Sequence, residues 1–249
     1  METLLNLFSP TFPTFFLMFV FLYLFAFFVI LRNWGPKHRP DASSCLLSLS
    51  HGTPAVIMAI HALRNAPTPR SFASPNAAFQ NTVLEFSIAY FLMDLIHYLV
   101  FFPNDILFIS HHLATLYVFV TCRFVVLHGA LAIIVLLVLA EVTSACQNVW
   151  SIARLKKADV PAAAKLYEFL SPPFYVFYSV VRGILGTVVV YKMGAFYASG
   201  AADNAIPKWA WISWMVVIVS AILISLLWIL NKWIYWYKEK SLQAKKKVW

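Results

Sequence analysis

At 249 residues, with 61% hydrophobic residues and a mean hydropathy of +0.76, the chain has the length of one domain and the composition of a membrane protein, which excludes an ordinary soluble fold. The formal net charge of +9 gathers between and beyond the apolar runs, where membrane orientation and anionic lipid account for it, so nucleic acid is not implied as a partner. The three cysteines, Cys45, Cys122 and Cys146, all fall inside apolar runs and form neither a disulfide framework nor a metal-type spacing.

A span of a ~30 Å hydrocarbon layer needs ~20 residues. Runs of that kind lie near residues 12–31, 43–63, 82–102, 105–126, 128–150, 172–192 and 208–237, which predicts an all-α, polytopic bundle of about seven transmembrane helices. The first run has Glu2 rather than basic residues before it and no small-residue cleavage site before "RNWGPKHRP", so it is read as a retained span rather than a signal peptide. The second, "SSCLLSLSHGTPAVIMAIHAL", is the weakest: Gly52-Thr53-Pro54 interrupts it, and for its His51 and His61 helix packing is as good a reading as chemistry.

The third run, "FSIAYFLMDLIHYLVFF", places Ser87, Tyr90, Asp94, His97 and Tyr98 at three- and four-residue steps, one polar stripe on a helix. The turn "FFPND" is short enough to make the third and fourth helices antiparallel neighbours, so Asp94 is expected to meet His111 and His112. Arg123, eleven residues after His112, is expected on nearly the same face. The fifth run repeats the stripe with Glu141, Ser144 and Asn148, and the sixth with Tyr175, Tyr178 or Ser179, and Arg182. Between them "RLKKADVPAAAKLYEF" reads as a basic interfacial helix, and Pro172 and Pro173 as the start of the sixth helix. Trp209, Trp211 and Trp214 at one end of the last run, with Trp228, Trp233 and Trp236 towards the other, read as interfacial aromatic belts.

Most of the 19 Lys and Arg fall on one side if the N-terminus is luminal and the C-terminus cytosolic. The tail "AKKKVW" then presents Lys246 and Lys247 to the cytosol as a dilysine signal, giving the endoplasmic reticulum membrane as the expected location. Ionisable groups inside a span cost about 2.5 to 3.5 kcal/mol each on insertion scales, so they normally face the bundle interior and mark function. At 1.5 Å per residue, Asp94, His111, His112, Glu141 and Arg182 all lie roughly 10 to 15 Å below the cytosolic interface. Four helices therefore bring charge or imidazole to one level.

"YFLMDLIHYLVFF", followed after a short turn by "ISHHLATLYVF" and then by the acidic-polar face of the fifth run, resembles the core of the TLC domain from about Ser43 to Lys240. The resemblance implies six core helices around a lipid-accessible cavity, with residues 1–42 as an additional N-terminal anchor and loop and 241–249 as a basic tail. Ceramide synthases are enzymes of that family that join an acyl chain from acyl-CoA to a sphingoid base, and their paired histidines fall on His111 and His112. Where those enzymes carry His-Asp-x-x-Asp, this chain has Ala140, Glu141 and Ser144, which is closer to the TLC-domain-containing subgroup associated with phospholipid composition and lipid homeostasis.

Imidazole near neutral pH can take an amine's proton or hold an acyl group. His111, His112 and Asp94 are thus the candidate catalytic residues, with His97, Tyr90, Glu141, Asn148 and Arg182 as substrate-binding or supporting groups. No resident cofactor is implied; acyl-CoA is the candidate co-substrate and membrane lipids are the expected partners. The seven histidines lack the His-x-x-x-His and His-x-x-His-His clusters of di-iron lipid hydroxylases, so no metal is expected. The alternative reading is a non-catalytic lipid-binding regulator of membrane composition, since fold alone does not set function.

Overall fold

The computed structural model describes the backbone of residues 11–248; the side chains of 239, 240 and 242–248 lie outside the description, and with them the Lys246–Lys247 signal, as does Glu2. Among the described residues seven helices are long and apolar enough to cross a membrane: α1 (Thr11–Ile30), α2 (Arg39–Arg64), α3 (Ala78–Phe101), α4 (Ile106–Val126), α5 (Ala130–Lys156), α6 (Pro161–Ala198) and α7 (Lys208–Val248), whose spanning part is Lys208–Lys238. No β-strand occurs among the described residues; the single bridge pairs Pro75 with His128. Consecutive helices alternate in direction, so the connections after α1, α3 and α5 share one end of the bundle. That end, which carries Arg32, Lys37, Arg39, Arg154, Lys156 and Lys157, is called the basic end below.

α3 is the most buried span and packs against α1, α2, α4 and α5. α2 is central too: beside Pro40, Leu47 and His51 its buried face is made of small residues, Ala42, Ser43, Ser44, Gly52, Ala55, Ala59 and Ala62. Small residues let backbones approach where lipid supplies no hydrophobic drive for helices to associate. The Gly-Thr-Pro break does not end this helix. Pro54 is absorbed inside it, and at Gly52 α5 approaches closely: a Cβ there would stand 2.9 Å from Glu141 Oε2 and 3.0 Å from Ser144 Cβ.

Two expectations about α6 are corrected. The helix starts at Pro161, not Pro172; Pro172 and Pro173 lie inside it, and the stretch expected as an interfacial helix is divided between the end of α5 and the start of α6. Proline suits the first turn, where its missing N–H has no partner anyway, and Pro161 takes that place. The aromatic-belt expectation also changes at Trp214, which is fully buried and donates from Nε1 to Thr121 Oγ1 at 2.8 Å.

Three spans leave α-geometry for one π-helical turn, at Ala26–Ile30, Thr121–Val126 and Ser179–Leu185, and α5 is interrupted at Val142–Thr143 between its halves Ala130–Glu141 and Ser144–Lys156. Such wide turns inside α-helices recur at functional positions. Arg182 lies on one of these irregular stretches and Glu141 immediately before another.

Candidate functional site

α2 to α7 enclose a cavity of about 510 Å³ that reaches from the basic end towards the middle of the bundle. Ligand sites commonly fall between ~300 and 1,000 Å³. Asp41, Asp105 and Arg154 stand at its basic end, while its deep part is lined by Val118, Phe119, Ile133, Leu136, Val217 and Ile222. A polar mouth over an apolar interior suits an amphiphile.

The polar wall is organised by Asp94, 3% exposed at the meeting of α2, α3 and α4. Ser44 Oγ donates to its Oδ1 at 2.8 Å, and Tyr90 Oη donates to Oδ2 at 3.4 Å. His112 Nε2 lies 2.9 Å from the same Oδ2. On the other side of that imidazole, Nδ1 lies 2.8 Å from the Phe108 carbonyl, one turn back on α4. A carbonyl oxygen only accepts, so Nδ1 carries a hydrogen. If Asp94 is ionised, Nε2 carries one as well; if Asp94 is protonated, its hydroxyl occupies the Nε2 lone pair. Either state leaves His112 without a free lone pair for substrate.

His111 is placed differently. It is exposed, and its exposure is to the cavity it lines. Its ring stands at 84° to that of His112 with centroids 5.5 Å apart and edges against Phe91 at 6.3 Å, and it has no hydrogen-bond partner among the described residues. The helix start explains the pair's rotation: Asp105 caps α4 by accepting from the Phe108 N–H at 3.2 Å, which fixes where each residue of the second turn points.

Glu141 closes the first half of α5. It is buried against Gly52, and His51 Nδ1 lies 3.9 Å from its Oε2. His51 is itself fully buried, bonded through Nε2 to Ser87 Oγ at 3.1 Å and stacked on Tyr90 with centroids 4.0 Å apart, while its Nδ1 makes no hydrogen bond among the described residues. The break after Glu141 frees the Ala140 carbonyl, which accepts from Arg182 Nη2; Arg182 Nε donates to Thr143 Oγ1 at 3.3 Å. Backbone groups released at membrane depth need such substitutes. Asn148 donates from Nδ2 to Ser48 Oγ at 2.8 Å and to the Ser144 carbonyl at 2.9 Å, which ties α5 to α2.

Tyr90, Asp94, His111, His112, Glu141, Asn148 and Arg182 thus line one cavity. His97 does not: it turns to α1, where its Nδ1 and the Tyr23 hydroxyl are 2.7 Å apart, and its buried Nε2 has no partner. Arg123 is also away from the site. It forms a buried pair with Glu85 through Nη2 at 2.6 Å and Nε at 2.7 Å, near the opposite end of the α3–α4 hairpin. Among the described residues no group of three His, Cys, Asp or Glu has an arrangement that would hold a metal ion.

A family model described as the TLC domain matches residues 41–233. The chain belongs to the TLC-domain family. A TLC domain-containing protein of Arabidopsis thaliana is 58% identical over 234 residues, covering 93% of this chain and 92% of that protein. No solved structure matches the chain.

Within this TLC domain, sequence reasoning left several lining groups unassigned. Ser44 and Ser48 line the cavity four residues apart on α2, with the buried His51 one turn on behind the cavity wall, a polar stripe like those used to select α3 and α5, yet the low hydropathy of that run obscured it. Glu85 drew no attention because nothing in its local pattern points to Arg123, 38 residues on.

Proposed function

We propose that this multi-pass protein works in lipid metabolism by moving an acyl chain from acyl-CoA to a lipid acceptor, with His111 as the general base. One observation carries the reading: of two adjacent imidazoles, His112 has both nitrogens engaged and His111 has neither, and His111 is the one that opens on the cavity. In the reaction, His111 takes the proton of the acceptor's amine or hydroxyl as that group attacks the thioester carbonyl. The C–S bond breaks, and the proton passes to the departing CoA sulfur. Asp94 and His112 act as a fixed wall that sets the position of α4, as a buried acid orients its histidine in other hydrolytic and transfer sites.

The endoplasmic reticulum membrane, with a luminal N-terminus and cytosolic C-terminus, is the proposed setting. It is supported by the Lys and Arg distribution and by Lys246 and Lys247 in the basic segment beyond the last span. A cavity opening at the basic end would then face the cytosol, where acyl-CoA is found.

The second reading, a lipid-binding regulator without catalysis, is favoured by Glu141. This acid is occupied by packing against α2 rather than by His111, so the site holds no second carboxylate aimed at the reacting imidazole. Membranes containing the native chain, His111→Ala or His112→Ala, supplied with labelled long-chain acyl-CoA and their own lipid extract, separate the two. A labelled amide or ester that disappears with His111→Ala supports transfer. Equal labelling in all three at equal abundance supports the regulator.

A further inference from the structure

Lys232 on α7 sits among aromatic rings. Its Nζ lies 4.8 Å from the centroid of Trp150, 5.2 Å from Phe174, and 5.9 Å from Tyr175 and from Tyr178. Two arginines share those rings: Arg154 Cζ is 5.2 Å from the Trp150 centroid and Arg182 Cζ is 5.1 Å from that of Tyr178. Cations from α5, α6 and α7 therefore converge on one aromatic cluster. Ring faces attract each cation, but they do not cancel the repulsion among three like charges in a half-buried setting.

No counter-charge is in contact. None of the three has a carboxylate within 4 Å among the described residues, whose ion pairs lie elsewhere. Asp41, across the mouth, is electrostatically coupled to Arg154, and Glu141 to Arg182, neither closing to ion-pair distance. The hydrogen bonds of Arg182 go to neutral oxygens of Ala140 and Thr143. In the same cluster the hydroxyl of Tyr178, a residue 1% exposed, is buried without an acceptor. Arg154 and Arg182 line the cavity, as does Trp228, one turn before Lys232. Three donors of positive charge and one unanswered hydroxyl, gathered beside a ligand-sized cavity, describe a place for an anion with several acceptor oxygens. Guanidinium groups match phosphate in charge and in bidentate geometry better than they match a single carboxylate oxygen.

We propose that Arg154, Arg182 and Lys232 bind the phosphate of an organic phosphate ligand whose apolar part occupies the cavity. This deepens the proposed function, because it names the group by which the ligand is gripped. The phosphate has two possible sources of the same chemistry: the CoA carrier or a phospholipid headgroup.

The test uses the full chain purified in maltoside detergent. CoA is titrated with tryptophan fluorescence as the readout, and phosphatidic acid against diacylglycerol is scored by native mass spectrometry. At least one phosphate probe is expected to bind, at least tenfold more weakly to Arg154→Gln and Lys232→Gln, and with little change to Lys232→Arg, which also controls for folding around the aromatic cluster. Binding of CoA alone assigns the carrier; binding of phosphatidic acid alone assigns the headgroup. No binding of either probe, or binding undiminished in both glutamine variants, overturns the proposal. His111→Ala is expected to retain phosphate binding. If acyl transfer is absent while binding depends on Arg154 and Lys232, the proposed reaction fails and this site stands; if transfer depends on His111 and no phosphate probe binds, the reverse holds.

Discussion

His112 Nε2 and Asp94 Oδ2 are 2.9 Å apart in the interior of the bundle, and the other nitrogen of that imidazole is held by the Phe108 carbonyl. This pair joins α3 to α4 and, through Ser44, to α2. Removing one partner of a buried pair leaves an uncompensated charge or polar group, so His112→Ala is expected to cost about 3 to 5 kcal/mol of stability. His111→Ala removes a side chain with no bonded partner and is expected to stay within about 0.5 kcal/mol of the native chain. Thermal unfolding in detergent measures the difference; equal losses in the two variants would refute the assignment of different roles.

The Glu85–Arg123 pair predicts a second, separable effect. Arg123→Gln leaves Glu85, 1% exposed, without its guanidinium and is expected to destabilise by about 3 to 5 kcal/mol, whereas the double variant with Glu85→Gln recovers much of that loss. Since this pair is remote from the cavity, the double variant should keep lipid-linked activity. A double-mutant cycle by unfolding in detergent checks the coupling, and additive losses would show that the two side chains do not interact.

Gly52 is predicted to tolerate no side chain. A methyl group there meets Glu141 Oε2 at 2.9 Å and Ser144 Cβ at 3.0 Å, so the Glu141 side chain must shift and α5 must give by a few tenths of an ångström at Ser144. Overpacking of this kind costs about 1 to 3 kcal/mol. Gly52→Ala is expected to lower thermal stability by that amount, and adding Glu141→Ala to recover only part of it, because the Ser144 contact remains. Full tolerance of Gly52→Ala would contradict the close α2–α5 approach.

The seven spans were legible because hydropathy over ~20 residues is a strong signal, and the stripes on α3 and α5 because polar residues at helical spacing have few places to go in lipid. What was not legible depended on helix rotation and on long-range partners. Adjacent histidines are known from sequence to point ~100° apart; which one meets Asp94 depends on the Asp105 cap and on how α4 sits against α3. Arg123 was expected on nearly the same face of α4 as His112, and both side chains do reach α3, at Glu85 and Asp94; what the turn count left open was that Glu85 is its partner. Pro54, Pro172 and Pro173 looked like helix boundaries and instead lie within helices, where neighbouring spans support the backbone. His97 belonged to the same stripe as Asp94, yet three residues further along α3 the stripe has turned to Tyr23 on α1.

The central claim is that His111, and not His112, presents a free imidazole nitrogen to the cavity. Diethylpyrocarbonate acylates an imidazole only through an unoccupied nitrogen lone pair, so its products mapped by peptide mass spectrometry on the purified full chain report this directly. The account predicts modification of His111, suppressed by long-chain acyl-CoA, with His112 unmodified because both its nitrogens are engaged and His51 unmodified because it is fully buried, while the protein stays folded. Modification of His112 at the rate of His111, or an inert His111, would contradict it.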